Sequence, residues 1–142
     1  MHIDRRFATL ILVLALAMGM TSHAADPTPR FAHEHISWAE WQTYLEEVTL
    51  VPDVRCEDTK RNERYCVSDS LTSIWVFTKS GHPAHPAVST GVFVTYPKGY
   101  GVLHRAYYGG DEPAFRAWAV SALGDLLILD KWKQAAWRNA GT

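Results

Sequence analysis

A basic excess is the first thing this sequence lacks. Lys and Arg total 14 against 15 Asp and Glu, a net charge of −1 at pH 7. With no surplus to neutralise phosphates, nucleic acid is a poor partner. A basic amphipathic stretch for a membrane surface is also missing. Cysteine is scarce: only Cys56 and Cys66. Their spacing is not C-x-x-C, which argues against thioredoxin-like redox chemistry. The chain has no Gly-rich phosphate loop, no alternating βαβ pattern, no internal repeat and no low-complexity run.

The chain opens with Arg5 and Arg6, followed by an uncharged apolar run over residues 7–20. Small residues follow at Ser22 and Ala24. This is the pattern of a cleavable secretory signal, residues 1–24, cut after Ala24 with Ala25 as the next choice. A membrane-spanning helix needs about 20 apolar residues, so a stable anchor is not expected. The expected location is periplasmic or secreted, in a protein of bacterial type. The mature chain then has net charge about −2, and its length suits one domain. In an exported chain, two cysteines read as a disulfide. A Cys56–Cys66 bridge stabilises a fold by roughly 2–3 kcal/mol in the chain-entropy account.

Residues 25–36, with Pro27 and Pro29, read as a flexible leader, and 37–142 as a single globular domain. Ser37-Trp38-Ala39-Glu40 fits a capping box, with Ile36 placed to staple onto Trp41. Trp38, Trp41, Tyr44, Leu45 and Val48 then form one apolar helical stripe. Two short strands are expected over 49–56 and 65–69. The mixed-charge run 57–64 between them is expected as a solvated hairpin tip. Stronger strands follow at Ser73–Thr78, 88–96 and 102–108, the last two joined through a turn at Lys98-Gly99-Tyr100-Gly101. Asp111 can cap a last helix with Pro113 in its first turn. Gly124 leaves open whether the C-terminal region is one helix or two. The expected fold class is α+β: an antiparallel sheet of about four to five strands, flanked by an N-terminal helix and one or two C-terminal helices, with the helices on one face.

The segment Gly81-His82-Pro83-Ala84-His85-Pro86 stands out. Each histidine precedes a proline, which pushes its backbone toward extended conformations. A type I turn, or a polyproline stretch, would set both imidazoles on one side of a stiff loop. Three readings compete. The loop can be a structural crossover whose histidines bond main-chain carbonyls. It can be a preorganised contact surface, with His82, Pro83, His85 and the turn residue Tyr100 as binding residues. Or it can hold Zn²⁺ or Cu²⁺ through His82 and His85, with His104 or the His33/His35 pair completing the shell.

Catalytic constellations are weaker. Ser80 or Ser89, His82 or His85, and Asp69 or Asp111 make a triad only on paper, and no nucleophile-elbow motif supports it. Glu46, Glu47, Asp111 and Glu112 read as solvated helix carboxylates. The six tryptophans are many for this length, and most fall on inward stripes. The expected function is therefore a small exported, non-catalytic binding or accessory domain. Its partner would be another protein, met through His82-Pro83-Ala84-His85-Pro86, without a cofactor. A metal-binding protein is the alternative, and an enzyme of unassigned type the second alternative.

Overall fold

The computed structural model describes residues 29–140, and their side chains except at 95, 96, 100 and 127–140. The expected signal, 1–24, lies outside the described residues. The order is α1 (Trp38–Thr49), β1 (Arg55–Asp58), β2 (Glu63–Ser68), β3 (Ser73–Thr78), β4 (Ala87–Tyr96), β5 (Gly99–Tyr108) and α2 (Glu112–Ala140). The strands form one antiparallel sheet in sequential order. Among the described residues, no helix is long and apolar enough to cross a membrane.

The helices do not share a face. β3 is buried at all six positions. Side chains alternate across a strand, so both faces of the sheet must be covered. Trp75 and Phe77 pack with Trp41, Tyr44 and Val48 of α1, whereas Ile74 and Val76 pack with Phe115, Trp118, Ala122 and Leu126 of α2. The expected one-faced arrangement gives way to three layers because a strand reading SIWVFT has no polar side to leave in water.

Local signals account for most element ends. Ser37 Oγ accepts from the Glu40 amide (3.1 Å), and Glu40 carboxylate accepts from the Ser37 amide (2.7 Å), completing the capping box. Asp111 Oδ2 accepts from the Ala114 amide (2.9 Å) at the start of α2. Cys56 and Cys66 face each other across β1 and β2 and are bonded. β1 starts later than expected because Asp53 is captured elsewhere. Its carboxylate accepts from Ser68 Oγ and from the amide and hydroxyl of Ser70. Those bonds, the Ser70 amide foremost, hold Asp53 down at about 2. The last hairpin turns at Pro97-Lys98 rather than 98–101, with Tyr96 paired to Gly99.

Two burial assignments change, in opposite directions. Trp38 is 53% exposed and stacks on Trp41, because the first residue of α1 overhangs the sheet. Glu63, expected in a solvated tip, is only 3% exposed. Its Oε1 accepts from Trp118 Nε1 (2.8 Å), and Arg61 lies 3.2 Å from Oε2 as its counter-ion. A buried carboxylate must be paired in this way to be tolerated.

The stretch taken as a loose leader is docked from Arg30 onward. The Ile36 amide donates to the Tyr108 carbonyl (2.8 Å), and the Tyr108 amide donates to the Glu34 carbonyl (2.9 Å). Phe31 meets Tyr44 and Tyr107 edge-on, and Arg30 pairs with Glu47. Apolar burial at Phe31 and Ile36 outweighs the loop character of the flanking prolines. These residues form an N-terminal arm along the end of β5.

α2 runs through Gly124 as one helix. A Cβ there would meet nothing within 4 Å, whereas at Gly110 it would lie 2.6 Å from the His85 carbonyl oxygen and at Gly109 2.7 Å from that of Ile36. Gly124→Ala should therefore stabilise by about 0.5–1 kcal/mol. Gly110→Ala should destabilise by roughly 1–3 kcal/mol. Urea denaturation of the two variants measures both, and equal effects would contradict the packing described.

Candidate functional site

The proline-stiffened loop brings its two histidines to different places. His82 Nδ1 accepts from the Ala84 amide (3.0 Å), so its proton resides on Nε2, which faces Glu63 Oε1 at 3.7 Å. Its ring meets Trp118 of α2 edge-on, and its side chain is 11% exposed. His85 turns to the other face. Its Nδ1 lies 3.0 Å from the Thr78 carbonyl, which can only accept, so Nδ1 carries the proton. The ring meets Trp38 and Trp41 of α1 edge-on, at 5.3 and 5.0 Å between centroids. Trp41 Nε1 and Thr78 Oγ1 both donate to the Ala87 carbonyl just beyond the loop. The expected pair of imidazoles on one side is thus split between two helices on opposite faces of the sheet. One nitrogen of each ring is already engaged.

The other expected site residues do not join them. His104, on β5, shares a hydrogen bond with Ser89 Oγ (2.8 Å). His33 and His35 are exposed on the arm, His35 against Tyr108. Among the described residues no three His, Cys, Asp or Glu side chains are grouped to hold a metal. Tyr100 stands on β5, and its side chain is outside the described ones. Pro83 is exposed at the crest of the loop.

A cleft of about 390 Å³ opens at the outer edge of β5 instead. One wall is the arm, with Phe31, His33 and Glu34. The second is β5 over His104, Arg105, Ala106 and Tyr107. The third is α2, with Phe115, Arg116 and Ala119. Arg116 bonds Glu34 (2.7 Å) and Glu112 (3.2 Å), tying arm to helix and closing one end. The loop itself meets the chain just beyond β5. The Gly109 amide donates to the Pro86 carbonyl (2.8 Å), and the Pro86 ring lies against the position of a Gly109 side chain.

Phe31, Glu34, Arg105 and Arg116 were not singled out as site residues from sequence. The available signal was the pairing of Phe31 and Ile36, two large apolar residues in a stretch otherwise read as leader.

Catalytic chemistry finds little here. Ser89 is fully buried and cannot meet a substrate. Burial alone lowers the His104 pKa, with no carboxylate acting on it. Four of the five carboxylates named for catalysis have structural partners: Asp111 caps α2, Asp69 accepts from Arg55 (2.9 Å), Glu47 pairs with Arg30 and Glu112 with Arg116.

Burial dominates at His85 too and holds it below its ordinary 6.5, opposed by the bond to Thr78. In the unfolded chain both His85 and His104 take up protons near 6.5. Below that pH the unfolded state binds more protons, so stability falls as pH drops from 7.5 to 5.5. Asp53 is held too low to titrate in that window. Thermal melts across it should show the loss, with a shallower slope for His85→Asn and His104→Asn. An unchanged slope in both variants would contradict the assignment. Added Zn²⁺ or Cu²⁺ should leave the melting temperature unmoved. A dose-dependent rise that is lost in the His82→Ala/His85→Ala double variant would restore the metal reading.

No family model, no curated protein and no solved structure matches the chain.

Proposed function

We propose that this is an exported, non-catalytic binding domain whose contact surface is the cleft between the N-terminal arm, β5 and α2. The observation that carries the reading is a concave site at the open edge of a sheet, lined by two arginines, two histidines and two phenylalanines. Pockets of this size with a few convergent polar groups are the usual places for ligand capture. The histidines of the His82-Pro83-Ala84-His85-Pro86 loop are engaged internally, so in this reading the loop braces the site rather than touching the partner. The Cys56–Cys66 bridge suits an oxidising compartment, and residues 1–24 supply the export signal. A protein partner fits better than nucleic acid, given the chain's net charge of −1.

Photo-crosslinking in native cells tests this. A benzophenone-bearing residue is placed at His33 or Ala119 in the cleft, and at Leu50, 79% exposed at the end of α1, or Glu57, exposed on β1 at the opposite edge of the sheet. The cleft positions should give discrete adducts at a yield at least about tenfold above the controls, as expected of a specific contact against random encounter. Equal labelling at all four positions, or none at any, overturns the reading.

A further inference from the structure

We infer that His82 is an acid-operated latch: a proton on its Nδ1 releases the Ala84 amide and turns the imidazolium onto the Glu63 carboxylate, which loosens the crest of the His-Pro loop. The latch does not depend on the cleft being a contact surface. Its closed state is fixed by geometry. The Ala84 amide can only donate, and it donates to His82 Nδ1 at 3.0 Å. That nitrogen therefore offers a lone pair, and the ring is neutral in the closed turn. The bond joins the side chain of residue i to the amide of i+2, the pattern by which an Asx turn holds a bend. A backbone bond from the His85 amide to the His82 carbonyl (3.0 Å) closes the same turn. Ala84 is fully buried, while Pro83 beside it is exposed. A second proton on the ring meets the Ala84 proton head-on, so the imidazolium cannot keep this bond.

An independent observation supplies the open state. Glu63 Oε1 lies 3.7 Å from His82 Nε2. A charge-assisted bond needs about 2.7–2.9 Å. Glu63 Oε2 is buried and, among the described residues, accepts no hydrogen bond, with Arg61 at 3.2 Å as counter-ion only. A buried carboxylate oxygen without a donor is a destination for a new one. A shift of about 1 Å brings the imidazolium into a short ion pair there. The other charges around the ring are committed. Arg61 is held by Asp125 (2.7 Å), which also accepts from the Tyr65 hydroxyl (2.9 Å). The Lys79 ammonium pairs with Asp58 (2.7 Å). From α2 the ring meets the uncharged Trp118. His85, in the same loop, is the one group whose charge opposes that of His82.

The test follows the folded, ¹⁵N-labelled chain from about pH 7.5 to pH 5, the range in which imidazoles ordinarily change charge. The ring nitrogens of His82 report its tautomer and charge. The protection factor of the Ala84 amide, corrected for the intrinsic pH dependence of exchange, reports the latch. Protonation of His82 should lower that factor about tenfold, as loss of one hydrogen bond to a buried amide requires. The Val76 amide, in the middle of β3, should keep its protection. His82→Asn retains an acceptor for the Ala84 amide and cannot titrate, so Ala84 should stay protected throughout. Glu63→Gln should move the transition to lower pH. Should that variant not fold, the Glu63 carboxyl ¹³C shift in the unaltered chain should move with the same midpoint as His82. His85→Asn should leave the Ala84 transition in place. A charged His82 with Ala84 protection unchanged overturns the latch, as does a His82 that stays neutral to pH 5. An equal loss in His82→Asn, or a parallel loss at Val76, assigns the change to the whole fold and overturns it too. A transition in Glu63→Gln at the original pH, or a Glu63 carboxyl indifferent to His82, overturns the open state.

Discussion

Burial of β3 on both faces is the constraint from which the rest of the architecture follows. A strand with Trp75 and Phe77 on one side and Ile74 and Val76 on the other needs two covers. The chain supplies one before the sheet and one after it. Three of the tryptophans mark the seams. Trp41 donates to the Ala87 carbonyl, Trp75 to the Tyr44 hydroxyl and Trp118 to Glu63. Each ring fills its layer and satisfies its one polar atom, as a buried indole must. Glu63 is the most exacting of these partners: Trp118 satisfies its Oε1, while the buried Oε2 has Arg61 as counter-ion at 3.2 Å and, among the described residues, no hydrogen bond.

Two helices on opposite faces create a problem at the end of the sheet, where the chain crosses from β3 to β4. The His-Pro loop resolves it. His82 reaches the α2 side and His85 the α1 side, and the turn between them is held by its own amides and by Thr78. The same segment backs the junction of Gly109, Gly110 and the arm, where carbonyl oxygens come too close for any side chain. The loop, the double glycine and the arm are one packed corner, and the cleft is what that corner leaves open along β5. Function in this reading is a by-product of how the last strand ends. The arm pairs with β5 at Tyr108 and meets the Tyr107 hydroxyl through the Arg30 amide.

Much of this was legible in the residues. The capping box at Ser37, the cap at Asp111, the disulfide, the strand at Ser73–Thr78 and the final hairpin all follow from local patterns. Local patterns misled in three places. Pro27 and Pro29 suggested a loose leader, but Phe31 and Ile36 had core sites waiting for them. Glu63 sat in a run of mixed charge, where a buried member cannot be told from its solvated neighbours. Trp38 lay on the apolar stripe of α1, yet the sheet beneath ends before reaching it.

The sequence alone determined which segments become helix or strand and that the two cysteines join, because capping, alternation and pairing act over a few residues. Only the tertiary structure decided which way each histidine turned and where an edge of the sheet stayed open. Those outcomes depend on partners far along the chain: His82 on Trp118, His85 on Trp41, and Tyr108 on the arm. A motif can stiffen a loop, but the layers packed on either side of it fix the direction in which its side chains are spent.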